Sequence, residues 1–162
     1  MSDITIIATG GTIDKVYYDA KSDYRIGDPQ VSDILQQAGV QTSYEVVSLL
    51  RKDSLELNDA DRTLIRQTVL AQSSRLILIT HGTDSMVDTA QALGDCGDKT
   101  VVLVGAMQPA RFRDTDAMFN IGFAIGVLRS QPAGVYIAMN GEVFNPTAVR
   151  KNRAQSRFEG LS

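Results

Sequence analysis

Short apolar runs alternate along the chain with stretches of helical spacing, and this alternation limits the possible folds more than any other feature. The runs are nearly continuous and rich in β-branched residues, as expected of strands that are covered on both faces. They lie at Ile4–Ala8, Tyr44–Leu50, Leu76–Thr80, Val101–Val104 and Val135–Met139. Parallel neighbours require crossover connections, so the pattern predicts an α/β fold with a largely parallel sheet flanked by helices on both faces.

Three of the intervening stretches have the periodicity of helices. Asn58 is the predicted N-cap of the first, whose apolar face comprises Ala60, Leu64, Ile65, Thr68 and Val69. The second ends at Gly94, and its face comprises Met86, Ala90 and Leu93. The third precedes Gln131-Pro132, and its face comprises Ala117, Met118, Ile121, Ala124, Ile125 and Leu128.

Length and composition favour one globular domain and exclude several classes of partner. The chain has 162 residues, 43% of them hydrophobic, and we expect a single domain over 1–162. Its 16 basic residues are outnumbered by 19 acidic ones and form no long run, which argues against nucleic-acid binding. No apolar stretch is long enough to span a bilayer. A lone Cys96 and an N-terminus without signal-peptide features favour the cytoplasm.

Two strands end in related sequences, Ala8-Thr9-Gly10-Gly11-Thr12 and Thr80-His81-Gly82-Thr83-Asp84. Ligands of α/β sheets sit beyond the carboxyl ends of the strands, so both endings should open at one edge. The glycines would leave backbone N–H groups free to hold an oxyanion beside two threonine hydroxyls, an arrangement that fits acyl transfer. Taken singly, each ending is also typical of a tight turn with a helix cap. Neither has the spacing of a dinucleotide or phosphate loop.

A threonine hydroxyl needs a base, and the residues leave the choice open between His81, a lysine and a carboxylate. We favour a structural role for His81, hydrogen-bonded to backbone. A buried lysine can act as a base when a carboxylate orients it, and Asp84 could be that carboxylate.

The two strand endings resemble motifs of the bacterial-type L-asparaginase family. The first motif, Thr-Gly-Gly-Thr-Ile, stands at Thr9-Gly10-Gly11-Thr12-Ile13, and the second, His-Gly-Thr-Asp-Ser/Thr-Met, at His81-Gly82-Thr83-Asp84-Ser85-Met86. Shorter matches continue the resemblance in the same order through almost the whole chain, at Tyr24-Arg25-Ile26-Gly27, Asp53-Ser54-Leu55-Glu56-Leu57, Val104-Gly105-Ala106-Met107 and Val149-Arg150-Lys151.

The resemblance implies a catalytic role for five residues. Thr12 would attack the side-chain amide of L-asparagine to give an acyl-enzyme and release ammonia, and Tyr24 on the same loop would assist it. Thr83, Lys151 and Asp84 would form the hydrogen-bonded group that activates the threonine or the hydrolytic water. The resemblance implies neither a metal nor an organic cofactor, because amide hydrolysis needs only a nucleophile, proton transfer and oxyanion stabilisation.

The resemblance also implies a substrate pocket. Ser54, in the segment Asp53-Ser54-Leu55, would bind the α-carboxylate of the substrate. Asp84, in the second motif, would bind its ammonium. Backbone at Gly11, Gly82 and Ala106 would line the pocket. A carboxylate opposite an ammonium gives charge-assisted recognition.

The sequence departs from the resembled family at its end and at two site positions. Family members continue into a second domain, which a neighbouring subunit contributes to the pocket, and we expect that domain to be absent here. We therefore expect a high Michaelis constant, weak activity on L-glutamine and a homodimer or homotetramer. Lys15 and Asp53 replace residues that are commonly small, and the Asp53 carboxylate would repel a substrate carboxylate unless Lys15, Arg25 or another basic group compensates.

Three alternatives to a free-standing asparaginase stay open at this point. The chain could be the ammonia-producing part of a transamidation complex, a non-catalytic amino-acid-binding module, or a fragment of a longer enzyme. Co-purification with a partner would indicate the first, and aspartate binding without ammonia release would indicate the second.

Overall fold

A computed structural model of the protein describes residues 2–17 and 24–161. Its strands are β1 Ile4–Gly10, β2 Lys15–Tyr17, β3 Tyr24–Ile26, β4 Tyr44–Lys52, β5 Leu76–Thr80, β6 Thr100–Val104, β7 Gly134–Met139, β8 Glu142–Phe144, β9 Val149–Asn152 and β10 Arg157–Gly160. Its α-helices are α1 Val31–Gln37, α2 Asp59–Ala71, α3 Met86–Leu93 and α4 Ala117–Ser130. Short 3₁₀ turns lie at Thr12–Asp14, Ser54–Glu56 and Arg153–Gln155.

The core of the fold is a six-stranded sheet of order β4-β1-β5-β6-β7-β8. All neighbours from β4 to β7 are parallel, and β8 joins the edge antiparallel to β7. Successive residues of a strand point to opposite faces, and Ile77, Leu78 and Ile79 of β5 are all fully buried, so both faces of the sheet are covered. The predicted α/β fold with a largely parallel sheet is confirmed.

Helix α2 begins as predicted but buries a narrower face than predicted. The Asn58 side chain accepts from the Asp61 N–H and the Asp61 carboxylate accepts from the Asn58 N–H, which is a complete capping box. Ile65 and Val69 are buried with Asp61, whereas Leu64 is exposed. The prediction that Ala60 and Leu64 belong to the buried face was wrong, because only residues four apart along the helix meet the protein here.

The other two predicted helices bury the faces that their spacing indicated, with one exception. Met86, Ala90 and Leu93 of α3 are buried, and the helix ends at Gly94, where φ is +56°. In α4, Ala117, Ile121, Ala124 and Leu128 of the predicted face are buried and Ile125 is partly buried, but Met118, in the first turn of the helix, is exposed.

Several short elements were not predicted. They are helix α1, the β2–β3 hairpin, the edge strand β8 and the β9–β10 hairpin. These elements have few apolar residues, and the two hairpins and β8 carry charges on exposed faces. Cys96, three residues after the end of α3, is buried, and this burial raises the pKa of its thiol. Within the described ranges, no helix has the length and apolar character needed to cross a bilayer.

Candidate active site

The ends of β1 and β5 meet directly, as their parallel register requires. Ala8 pairs with Thr80, so the two motifs leave the same edge of the sheet. A Cβ on Gly11, where φ is +88°, would overlap the backbone of Gly82. A Cβ on Gly82 would in turn lie 2.6 Å from the Ser54 Cβ. Glycine is thus required at both positions for the two motifs and the Ser54 turn to pack against one another.

Lys151 joins the second motif through two short hydrogen bonds. Its Nζ donates to Thr83 Oγ1 at 2.7 Å and to Asp84 Oδ1 at 2.6 Å. Thr83 is buried and the Lys151 side chain is only 14% exposed, so these charge-assisted bonds are shielded from bulk water. Strand β9 carries the lysine, and its hairpin partner β10 supports it from the far side. The structure therefore brings together three of the five residues predicted to be catalytic.

Thr12 stands at the start of the 3₁₀ turn that follows Gly11. The Gly11 N–H donates to Lys52 O at 3.0 Å, and the Ala110 N–H donates to Ile13 O at 3.1 Å, so neighbouring loops hold this turn on both sides. Across residues 2–17 and 24–161, the Thr12 hydroxyl has no hydrogen-bond partner. Thr12 is partly exposed, and Lys151 bonds to Thr83 rather than to Thr12.

Tyr24 lies opposite Tyr17 in the β2–β3 hairpin and is half exposed. The Lys15 Nζ lies 4.3 Å from the centroid of the Tyr24 ring, a cation–π contact. The same ammonium is 4.0 Å from Asp53 Oδ2. Lys15 is therefore a basic group close enough to offset part of the Asp53 charge, a pairing that the sequence alone left open.

The Asp53-Ser54-Leu55 segment forms the 3₁₀ turn after β4. The Asp53 side chain caps this turn by accepting from the Leu55 N–H at 3.1 Å. The Ser54 hydroxyl is buried and accepts from the Ser85 N–H at 3.1 Å, while Ser85 Oγ donates to Ser54 O at 2.5 Å. Ser54 keeps its own hydroxyl proton for a ligand, and the Leu55 side chain is 62% exposed.

His81 is a buried structural histidine. Its Nδ1 lies 2.7 Å from Gly82 O, and its Nε2 lies 2.7 Å from Thr89 Oγ1. A carbonyl only accepts, so Nδ1 carries the proton and Nε2 accepts from the Thr89 hydroxyl. Burial lowers the pKa of His81 to about 4, which keeps the ring neutral near pH 7. The backbone-bonded role that we favoured for His81 agrees with this geometry.

The loop that carries Ala106 is held by a polar network that sequence reasoning missed. The Asp116 carboxylate accepts from the Met107 N–H at 3.0 Å, and Asn120 Nδ2 donates to Gly105 O at 2.9 Å. Burial alone would raise the pKa of Asp116, but hydrogen bonds to its carboxylate, led by those from the Met107 N–H and the Asn140 side chain, outweigh burial and lower the pKa. The spacing of Asp116 and Asn120, four residues apart at the start of α4, is the signal that could have indicated a shared face.

Asp14 is a second buried carboxyl group that the sequence did not single out. It lies in the same 3₁₀ turn as Thr12, is 2% exposed and accepts from the Gln30 N–H at 2.9 Å. Burial raises its pKa to about 7, although the Gln30 N–H and the positive charge of Arg51 both lower it.

Three of the candidate residues lie in the wall of an open depression. It has a volume of about 510 Å³, and the three residues are Tyr24, Asp53 and Leu55. Another, of about 410 Å³, lies near Leu76 and Thr100, where strands begin, at the far edge from the chemistry. In the described part of the chain, no group of three or more His, Cys, Asp and Glu side chains is gathered as a metal site.

Residues 3–159 match the family model described as "Asparaginase, N-terminal". The chain belongs to the asparaginase family. It is 32% identical over 163 residues to the "Probable L-asparaginase periplasmic" of Haemophilus influenzae, covering 93% of this chain and 46% of that protein. It thus spans about half the length of the curated relatives that it matches.

Two solved structures of family members share the fold. The thermostable L-asparaginase from Thermococcus kodakarensis superposes with a TM-score of 0.84 at 27% identity, over 97% of this chain and 50% of that one. The probable cytoplasmic L-asparaginase from Campylobacter jejuni gives 0.77 at 27% identity, over 99% of this chain and 52% of that one. A more distant relative is one component of the glutamyl-tRNA(Gln) amidotransferase of Thermoplasma acidophilum, 32% identical over 85% of this chain and 35% of that protein.

Proposed function

We propose that the protein hydrolyses L-asparagine to L-aspartate and ammonia, with Thr12 as the nucleophile. The observation that carries this proposal is the hydrogen-bonded group of Thr83, Asp84 and Lys151. Thr83 and Asp84 follow strand β5 and Thr12 follows strand β1, and these two paired strands end at the same edge of the sheet. A lysine with one hydroxyl and one carboxylate partner is suited to moving a proton beside a nucleophile. Membership of the asparaginase family supports this assignment.

The proposed reaction has two steps. Thr12 Oγ1 attacks the side-chain carbonyl carbon of asparagine, its proton passes to the departing nitrogen, and ammonia leaves an ester on Thr12. Water then attacks the ester, which releases aspartate and returns the proton to Thr12. In each step Lys151, as the neutral amine, takes up a proton through the Thr83 hydroxyl and passes it on to the leaving atom, and Asp84 orients Lys151. Backbone N–H groups near Gly11 and Gly82 stabilise the oxyanion, and Tyr24 assists Thr12.

The same surface supplies the proposed contacts to the rest of the substrate. The Ser54 hydroxyl donates to the α-carboxylate, and Asp84 accepts from the α-ammonium. Asp53 and Leu55 form the outer wall of the pocket, and the backbone of Ala106 forms its inner wall. Lys15 neutralises the Asp53 carboxylate, which allows a substrate carboxylate to approach Ser54.

The test is ammonia release from L-asparagine by the wild-type protein and four variants. Thr12→Val removes the hydroxyl with little change of shape, and Lys151→Met removes the ammonium while keeping the stem. Thr12→Ser keeps the nucleophile, and Arg150→Met removes a neighbouring exposed charge that bonds to Glu159 instead. We expect the first two variants to lose about a hundredfold or more in kcat, because nucleophile and proton transfer both act in the transition state. We expect the two controls to remain active.

Mass spectrometry of acid-quenched reactions adds a direct readout of the intermediate. The proposal requires a mass gain of one aspartyl group on the peptide that contains Thr12, and no gain in Thr12→Val. Full activity of Thr12→Val would contradict the nucleophile assignment. A folded wild-type protein that binds L-aspartate but releases no ammonia would instead support the amino-acid-binding module.

A second candidate function is ammonia supply within a transamidation complex. The match to a component of a glutamyl-tRNA(Gln) amidotransferase favours this candidate. Ammonia release that appears only after a partner protein co-purifies would support it, whereas release by the isolated chain would support the free-standing enzyme.

Four further properties of the protein remain predictions. A single domain over 1–162 is checked by limited proteolysis, and a homodimer or homotetramer by analytical ultracentrifugation. The high Michaelis constant and weak activity on L-glutamine are checked in the same ammonia assay. Cytoplasmic location is checked by cell fractionation, since the relatives include one named periplasmic and one titled cytoplasmic.

A further inference from the structure

Lys15 joins two segments of the candidate site that the motifs do not connect. It begins strand β2, and its ammonium contacts Tyr24 in strand β3 and Asp53 in the turn after β4. Nζ lies 4.3 Å from the centroid of the Tyr24 ring and 4.0 Å from Asp53 Oδ2. The Lys15 side chain is only 17% exposed, so both contacts are partly shielded from water. One lysine therefore bridges the β2–β3 hairpin and the turn that carries Ser54.

The Asp53 end of this bridge is fixed by the turn itself. Asp53 Oδ1 accepts from the Leu55 N–H at 3.1 Å, which leaves Oδ2 to face Lys15. The next residue, Ser54, is buried and accepts from the Ser85 N–H at 3.1 Å. The carboxylate is thus held by its own turn, and it attracts the ammonium to one defined place.

The Tyr24 end has few other contacts that could fix the ring. Tyr24 is half exposed, and within residues 2–17 and 24–161 its hydroxyl makes no hydrogen bond. Tyr17 packs against the ring in a T-shaped pair, with centroids 6.0 Å apart. Tyr17 lies in the same hairpin, so this pair does not tie the ring to another element. Of these two contacts, only the one with Lys15 connects the ring to the Asp53 turn.

We propose that Lys15 is a positioning residue that fixes the Tyr24 ring beside the Asp53–Ser54 turn. This inference rests on the proposed amidase function and deepens it by naming the residue that places Tyr24, whose hydroxyl would assist Thr12. A half-exposed tyrosine that samples several rotamers is correctly placed for only part of the time. A cation over one face of the ring favours one of these rotamers, and it thereby raises the fraction of molecules that are ready to react.

The kinetic test is a double-substitution cycle on ammonia release from L-asparagine. Lys15→Met removes the ammonium, and Tyr24→Phe removes the hydroxyl but keeps the ring. Lys15→Met alone should lower kcat about twofold to fivefold, the factor that corresponds to one cation–π contact. In the Tyr24→Phe background it should have little further effect on kcat, because the hydroxyl that Lys15 places is absent. A rise in KM from the unscreened Asp53 charge should be the same in both backgrounds.

Two further variants separate the role of Lys15 from a general effect of charge. Lys15→Arg keeps a cation that can lie over the ring and face Asp53, and it should restore kcat. Arg75→Met removes an exposed cation that pairs with Asp98 at 3.6 Å, where β5 begins, at the far edge of the sheet. This control should keep the kcat and KM of the wild-type protein.

Urea unfolding tests the contact separately from catalysis. In the cycle of Lys15→Met, Tyr24→Leu and the double variant, the unfolding equilibrium constant should depart from independent effects by about twofold to fivefold. If the wild-type protein releases no ammonia but this coupling is present, the proposed function fails and Lys15 still holds Tyr24. Independent effects in urea, an equal loss of kcat in both Tyr24 backgrounds, or full kcat in Lys15→Met would each overturn the role of Lys15.

Discussion

Replacing Asp14 by asparagine should remove a pH-dependent loss of stability from the protein. The carboxyl group is almost fully buried in the turn that carries Thr12, and its pKa is raised to about 7 by that burial. Asparagine has nearly the same shape, and its side-chain oxygen can still accept from the Gln30 N–H. The substitution therefore changes the charge at this position and little else.

The direction of this pH dependence follows from which state, folded or unfolded, binds the Asp14 proton more tightly. In the unfolded chain the pKa of Asp14 takes its usual value of 3.8, whereas in the folded protein it is about 7. Between these values the folded state holds a proton that the unfolded state has lost, so stability falls as the pH rises from 3.8 to 7. A shift of this size corresponds to about 4 kcal/mol of unfolding free energy at pH 8, at 1.36 kcal/mol per unit.

Urea unfolding between pH 4 and pH 8.5 measures this loss. Far-UV circular dichroism is the suitable probe because the chain has no tryptophan. The quantity of interest is the unfolding free energy of Asp14→Asn minus that of the wild-type protein. It should increase with pH by up to about 4 kcal/mol, a large part of the total stability of an ordinary domain.

The difference between the two proteins cancels the other titrating groups. His81 acts in the opposite direction: its pKa falls from 6.5 to about 4 on folding, so its contribution is present above pH 6.5 and is lost as the pH falls towards 4. Asp33→Asn, at an exposed position of α1, shows the effect of removing one surface carboxylate. A stability difference for Asp14→Asn that stays flat from pH 4 to pH 8.5 would refute the reasoning.

Four further substitutions test the packing, the capping and the histidine. Gly82→Ala places a Cβ 2.6 Å from the Ser54 Cβ and should destabilise the protein by about 1–3 kcal/mol in urea unfolding. In Gly122→Ala, in α4, the Cβ meets open space, so this control should stabilise the protein by about 0.5–1 kcal/mol. Equal effects of the two substitutions would contradict the close contact at Gly82. Asn58→Ala breaks the capping box of α2 and should lower thermal stability by about 0.5–2 kcal/mol. His81→Gln should make the unfolding free energy less dependent on pH between 4 and 6.5, and an unchanged slope would argue against a depressed pKa of His81.

The central sheet could be predicted from the sequence because its strands are covered on both faces. A short continuous apolar run such as Leu76–Thr80 is typical of a strand that is covered on both faces. The β2–β3 and β9–β10 hairpins gave no such signal. Their strands are three or four residues long and carry charged side chains, so each has too few residues for a periodic apolar pattern.

The backbone positions of the candidate catalytic residues in the two strand-end motifs could be predicted from the sequence. Gly11 and Gly82 end neighbouring parallel strands, and their contact follows from the topology. The partner of Lys151 could not be derived in this way, because a long side chain on a separate hairpin can reach several groups. Family resemblance, not spacing, put Lys151 beside Thr83 and Asp84, and the hydrogen bonds of the structure agree with that grouping.

The charges that surround the motifs were the least predictable part of the site, and they bear most directly on substrate choice. The sequence raised the problem of Asp53, and the structure places the Lys15 ammonium 4.0 Å from its carboxylate. On the other side, Arg153 Nε lies 3.3 Å from Asp84 Oδ1. In the proposed function, motif residues supply the nucleophile and the proton path. Under that proposal, the charges of residues outside the motifs, such as Lys15 and Arg153, act on the amide that binds.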